Sequence, residues 1–389
     1  MRWLVFIWWF MPCALSGCND NASPVLSGAQ QMDKYLTLIR DQKMALVVNH
    51  TSLVGDTHLL DTLLSQGIEM SGVMKVFVPE HGFRGNFDAG QEVENGRDPV
   101  TGIPVVSLYG KHKKPLPEDL EGVDLVLFDI QDVGTRFYTY ISTLHYVMEA
   151  CAEHDVPLVV LDRPNPNGGY VDGPILEPEF TSFVGMHPIP VVYGLTIGGL
   201  ARMINGEGWL EGGIQCDLTV IPCAHYHHGD PVSMAVRPSP NLASDHAIAL
   251  YPSTCFFEGT VVSEGRGTPM PFEVYGHPDL QGNFSFTPVS IPGASMYPKL
   301  KGRRCFGEDL RSFLPGGGWN RLYLEFIMNA YQEFPRKEEF FTPYFEKLAG
   351  TAELRWQIQE GWDETRIRAS WKPELDNYMK MREKYLIYD

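Results

Sequence analysis

The stretch Val76-Phe77-Val78-Pro79-Glu80-His81-Gly82-Phe83-Arg84-Gly85 begins as an apolar, β-branched strand and stops at a proline. It then delivers a carboxylate, an imidazole and a guanidinium in quick succession. Unbroken apolar runs of this kind suit strands covered on both faces, as in parallel sheets. Gly82 and Gly85 allow the tight or positive-φ turns that a loop beside a site needs. A strand ending this way is either a turn closed by polar residues or the lip of an active site.

Outward from it, the same grammar repeats. Upstream, an apolar run at 45–48 ends in Asn49-His50-Thr51-Ser52, and Asp56 or Thr57 is placed to cap a helix through Gln66 that Gly67 stops. Downstream, a polar insertion over 81–102 is too rich in charge and glycine to be a buried element. Strands follow at 103–108 and 124–130, then a helix over about 137–154 and a strand at 156–161. A helix past Leu195 stops near Gly206, and 216–221 is another strand. Alternating β and α elements with short apolar strands predict an α/β fold with a Rossmann-like, mostly parallel, doubly wound sheet. In such sheets the carboxyl ends of the strands share one edge, where ligands bind. Asn49/His50, Glu80/His81, Asp129/Asp132 and Asp162/Arg163/Asn165 all fall at predicted strand ends. The competing interpretation is that these residues cap helices and tie loops.

After the rigid connector Arg237-Pro238-Ser239-Pro240-Asn241, the segment 247–251 opens a run of short β elements and loops to about residue 300. Helices are expected at 319–331, 353–360 and 373–385, forming a smaller α/β C-terminal domain with the site in the cleft between the two. The division expected is 1–17 signal peptide with lipobox, 18–40 tether, 41–243 Rossmann-like catalytic domain and 244–389 auxiliary domain.

The signal assignment rests on Arg2, the apolar run over 3–15 and Leu15-Ser16-Gly17-Cys18, in which Cys18 would carry lipid and anchor the chain to a membrane. Asn19 after it leans towards an outer-membrane, periplasm-facing location over the inner membrane. The formal net charge of −17 excludes nucleic acid as an expected partner, but local arginines still permit an anionic small substrate. Cys151, Cys216, Cys223, Cys255 and Cys305 form an odd set without a C-x-x-C pair, so a disulfide is permitted but its pairing is not specified.

No glycine-rich phosphate loop and no G-x-S-x-G elbow occur, so neither a nucleotide cofactor nor a serine hydrolase is expected. His225-Tyr226-His227-His228 reads as a surface loop, and no metal or other cofactor is assigned. Carboxylates are the abundant chemistry, and a carboxylate pair suits glycosidic cleavage, one acting as acid and the other as base, nucleophile or stabiliser. Glu80, Asp129, Asp132, Asp162, Glu258 and Glu264 are the candidates. Arg84, Arg136, Arg163 and Arg266 are suited to a substrate carboxylate, and Tyr138 and Tyr140 to a sugar-stacking wall.

Several long motifs carry a resemblance. Pro79-Glu80-His81-Gly82-Phe83-Arg84-Gly85, Ser107-Leu108-Tyr109-Gly110 and the run Asp129-Ile130-Gln131-Asp132 through Tyr140 resemble the NamZ-type exo-β-N-acetylmuramidases. So do Asp162-Arg163-Pro164-Asn165-Pro166, Pro238-Ser239-Pro240-Asn241-Leu242 and Phe257-Glu258-Gly259-Thr260 through Thr268, together covering about residues 40–389. The resemblance implies release of N-acetylmuramic acid from the non-reducing ends of peptidoglycan fragments, with Glu80 as the catalytic acid. On that basis Glu80, Asp129 and Glu264 are the expected catalytic residues. His81, Arg84, Asp132, Arg136, Tyr138, Asn165, Glu258 and Arg266 are the expected substrate contacts. Rival readings are a non-catalytic sugar- or muropeptide-binding lipoprotein and a metal-dependent hydrolase built on His50, His81 and the aspartates.

Overall fold

A computed structural model describes residues 23–80, 82–83 and 95–389. Strands β1 (Met44–Val48), β4 (Val73–Val78), β6 (Pro104–Ser107), β7 (Leu125–Asp129), β8 (Leu158–Leu161) and β9 (Leu218–Ile221) pair in parallel. The two-residue β5 (Gly96–Arg97) adds antiparallel to one edge, giving the order β5-β6-β4-β1-β7-β8-β9. Without that edge strand the order is the doubly wound one, and it reverses between β1 and β7. β1 is buried at all five positions because neighbours cover both of its faces. A short hairpin of β2 (Leu53–Val54) and β3 (Thr57–His58) follows β1.

The chain's first helix, Met32–Ile39, falls inside the segment expected as a tether and buries Tyr35 and Ile39. The hairpin corrects the helix expected after β1. Its start is at Leu59, not at Asp56 or Thr57, and it runs Leu59–Ser65 with the His58 ring accepting from the Leu60 amide at 3.2 Å. The long helix is Tyr140–Glu153 and begins three residues later than its periodicity predicts. Phe137, Tyr138 and Thr139 are thereby left in a loop.

The smaller domain carries the antiparallel sheet β10 (Val274–His277), β12 (Cys305–Asp309) and β11 (Phe284–Phe286), in the order β10-β12-β11. Residues 247–251 belong to a helix, Asp245–Thr254, whose start is capped by Ser244 accepting from the Ala247 amide at 2.8 Å. The helix predicted at 319–331 is Glu325–Glu333, and the last one is Glu364–Arg382 with Pro373 inside it. Its true start is the Asp363 cap, which accepts from the Arg366 amide at 2.8 Å, so the proline was a misleading start signal.

This last helix ties the C-terminus back onto the parallel sheet. Tyr378 donates to the Tyr193 carbonyl at 2.6 Å, Arg382 to the Gly194 carbonyl at 2.6 Å, and Tyr388 to Asp162 at 2.6 Å. One hydrophobic core runs from Val47 and Phe128 through Tyr251 and Phe272 to Trp371, so both sides of the cleft rest on continuous packing. The five described cysteines are buried free thiols. No helix of the described residues is long and apolar enough to cross a membrane. Cys18 and the apolar segment before it lie outside the described residues, as do His81 and Arg84.

Candidate active site

Glu80 stands two residues beyond the end of β4, where Gly82 takes φ +70° and its amide donates to the Pro79 carbonyl at 3.1 Å. Beside it, Tyr109 leaves β6, and its hydroxyl donates to Glu80 Oε1 at 3.2 Å. Both line a cleft of about 190 Å³. Phe137, Tyr138 and Thr139, from the loop after β7, and Tyr140, which opens the following helix, form part of the wall on the same side. The opposite side is supplied by the second domain, with Tyr251, Glu258, Arg266 and Tyr344.

Glu258 comes from a 3-10 turn, Cys255–Gly259, that continues the helix before it. Arg266 Nη2 donates to Glu258 Oε1 at 2.6 Å and Nε to the same oxygen at 3.1 Å. The guanidinium also lies over the Phe272 ring, 5.0 Å from its centre. Behind it Glu264 is only 2% exposed, with Oε1 3.5 Å from Arg266 Nε and Oε2 2.8 Å from Lys299 Nζ. Burial pushes the Glu264 pKa up, but Lys299 and Arg266 outweigh it and hold the carboxyl below the usual range.

Of the expected site residues, the cleft thus brings together Glu80, Tyr138, Glu258 and Arg266. Glu264 supports Arg266 from behind and does not line the cleft. Among the described residues, the other polar strand ends bond within the protein. Asp129 is fully buried in a two-pronged pair with Arg163, Nε–Oδ1 2.5 Å and Nη2–Oδ2 2.8 Å. Asp132 accepts from the Tyr193 hydroxyl and from the Gly134 amide. Burial raises its pKa to about 6 against those hydrogen bonds and a further one from the Val133 backbone. Asp162 accepts from Thr196, Tyr388 and the Gly198 amide.

Arg136 is wholly buried and donates to four carbonyls, of Pro174, Ile189, Leu348 and Ala349, so it braces the two domains and is not presented to a ligand. Asn165 donates to the Leu195 carbonyl at 2.8 Å and accepts from the Asn167 amide at 2.8 Å. It packs where Gly134, at φ +76°, leaves no room for a Cβ. Asn49 Oδ1 likewise accepts from the Thr51 amide at 2.9 Å, so Asn49, Asp129, Asp132, Asp162, Arg163 and Asn165 all serve as ties for loops. Tyr138 keeps a place in the cleft wall while its hydroxyl donates to the Pro238 carbonyl at 2.7 Å.

A larger groove of about 430 Å³ runs over the reversal point of the sheet, lined by Thr51, Gln131 and Arg163. Two of its polar side chains are already engaged: Gln131 Nε2 donates to the Asp132 and Pro164 carbonyls, and Arg163 holds Asp129. Chemistry therefore favours the smaller cleft, which presents two carboxylates and a guanidinium. Among the described residues, the acidic groups near enough to share an ion are Glu149, Glu153 and Glu211, outside this cleft, where Lys114 bonds Glu149 and Glu153. His50, proposed for a metal, has its Nε2 2.8 Å from the Arg237 carbonyl.

Tyr109 was named among the motifs but not as a site residue. The signal that identifies it is its equal offset from the end of a neighbouring parallel strand. Phe137 and Tyr344 have no comparable signal in the sequence, because one looks like a helix start and the other arrives from a distant helix.

Comparison with known proteins places these features in context. Residues 44–246 match the family described as exo-β-N-acetylmuramidase NamZ, N-terminal, and 249–388 its C-terminal counterpart. The chain is 40% identical over 379 residues to a peptidoglycan β-N-acetylmuramidase NamZ of Bacillus subtilis, spanning 90% of each chain. A crystal structure of a DUF1343 family protein from Bacteroides fragilis superposes with a TM-score of 0.86 at 44% identity, covering 94% of this chain and 99% of that one. A second from the same organism gives 0.81 at 26% identity, with the same coverage.

Proposed function

The chain belongs to the NamZ family of exo-β-N-acetylmuramidases and is a glycosidase, and we propose that Glu80 is the general acid with which it releases N-acetylmuramic acid from peptidoglycan fragments. The supporting observation is that Glu80 and Glu258, from different domains, line one cleft together with Arg266. A volume of about 190 Å³ lies below the roughly 300–1,000 Å³ of sites for drug-sized ligands. It suits a single sugar ring at a non-reducing end better than a continuous glycan.

In this reading protonated Glu80 gives its proton to the glycosidic oxygen as the C1–O bond breaks. Positive charge then develops at the ring, and Glu258 stabilises it or draws a proton from the incoming water. Glu258 takes this second role in place of Asp129, whose oxygens are held by Arg163, and of Glu264, which lies behind Arg266. Arg266 receives the carboxylate of the lactyl ether, the group that distinguishes muramic acid from glucosamine. Aromatic faces at Tyr138, Tyr251 and Tyr344 offer apolar walls for the ring.

Glu80→Gln and wild type compared on a chromogenic N-acetylmuraminide test this. The variant is expected to lose at least ~100-fold in kcat while still binding the sugar. Turnover within a few-fold of wild type would remove Glu80 from the role. Lipidation at Cys18 and a periplasm-facing, outer-membrane location form a second part of the proposal, supported by the apolar run over 3–15 and the Leu-Ser-Gly-Cys that closes it. Cys18→Ala is expected to move the protein from the membrane to the soluble fraction.

A further inference from the structure

Arg266 stands between two carboxylates, Glu258 at 2.6 Å and Glu264 at 3.5 Å. One guanidinium facing two carboxylates leaves a net negative patch, in a chain whose formal charge is already −17. Such a patch repels an anionic sugar. Lys299 alters that balance. Its ammonium lies 2.8 Å from Glu264 Oε2 and also reaches the carbonyls of Phe257 at 2.6 Å, Thr260 at 3.2 Å and Val262 at 2.6 Å. The cluster then holds two cations and two anions, and Glu264 has a partner other than Arg266.

We propose that Lys299 is a positioning residue for specificity: by neutralising Glu264 it leaves the Arg266 guanidinium on Glu258, at the cleft, for the carboxylate of the substrate. This rests on the assignment of Arg266 to the lactyl group. Without Lys299 the cation left beside the buried Glu264, among the described residues, is Arg266, already within 3.5 Å. Turning towards Glu264 withdraws the guanidinium from the cleft. The direction in which Glu264 titrates agrees, since Lys299 is the largest influence keeping it ionised. The rival role is purely mechanical: the three carbonyls make Lys299 a clamp on the loop that carries Glu258.

The two roles differ in what Glu264→Gln does. The experiment measures the dissociation constants of N-acetylmuramic acid and N-acetylglucosamine by calorimetry on the full chain, for wild type, Lys299→Met and the double variant Lys299→Met/Glu264→Gln. Lys299→Met is expected to weaken N-acetylmuramic acid about tenfold, the scale of a charge-assisted hydrogen bond, and N-acetylglucosamine by less than about twofold. Removing the Glu264 charge as well is expected to return the muramic acid constant to within about threefold of wild type. Equal weakening of both sugars, or no recovery in the double variant, overturns the proposal in favour of the clamp. If wild type itself shows no preference for the muramic sugar, the assignment of Arg266 fails first, and that control separates the two failures. Should Lys299→Met not fold, the double variant decides alone: a retained preference supports charge balance, and a lost one overturns it.

Discussion

Tyr109 and Glu80 meet because β6 and β4 pair in parallel with Val78 opposite Ser107, so that each residue stands two positions beyond the same rung. The Tyr109 hydroxyl then donates to Glu80 Oε1 at 3.2 Å. Burial, followed by the Glu80 charge, pushes the Tyr109 pKa up, so the phenol stays a donor throughout the working range. That hydrogen bond holds one carboxyl oxygen of Glu80 in place at the cleft. Tyr109→Phe is expected to lower kcat about tenfold with KM within about twofold, as for an interaction made chiefly in the transition state. Steady-state rates on the chromogenic muraminide check this, and an unchanged kcat would dismiss the orienting role.

Arg266 separates substrate recognition from scaffolding. Arg266→Met is expected to weaken N-acetylmuramic acid by at least ~10-fold and to leave N-acetylglucosamine nearly unaffected. Titration calorimetry with both sugars gives the ratio. A parallel loss for both would mean that Arg266 only holds Glu258 in place.

The pair of Asp129 and Arg163 fills the reversal point of the sheet. Arg163→Met leaves a fully buried carboxylate without its partner and is expected to cost about 3–5 kcal/mol of stability. Asp129→Asn added to it is expected to recover part of that loss. Urea unfolding of the three proteins measures the coupling, and a single variant within ~1 kcal/mol of wild type would contradict it.

Asp132 supplies a pH signature. Its folded pKa of about 6 exceeds the ordinary 3.8, so the native state holds a proton that the unfolded chain has released between those values. Its contribution is therefore intact below about pH 4 and is lost as pH rises through about 6. Asp132→Asn retains an oxygen acceptor without the charge. Its melting temperature relative to wild type is expected to rise from pH 4 to about 6 and to level off above. A constant difference across that range would show that Asp132 does not titrate there.

Strand identities were legible because a parallel strand covered on both faces must be apolar throughout. The apolar run over 76–78, ahead of Pro79, is the end of strand Val73–Val78. Helix starts were less legible, since caps are local and interchangeable: His58 took the place expected of Asp56 or Thr57, and Pro373 lies inside a helix that it seemed to begin. Glu80 was recognisable as the end of a strand, flanked by Pro79 and Gly82.

By itself the sequence determined the doubly wound parallel sheet and the shared edge on which its polar strand ends lie, because apolar periodicity and chain direction suffice for both. Only the tertiary structure decided which of those ends meets a ligand. Asp129, Asp132 and Asp162 carry the same carboxyl chemistry as Glu80 on paper, but each is buried against a partner brought from elsewhere in the chain: Arg163, Tyr193 or Tyr388. Glu80 faces a cleft whose other wall comes from residues more than a hundred positions away. A carboxylate's role depends on what surrounds it, and those surroundings are set by long-range packing that local sequence does not encode.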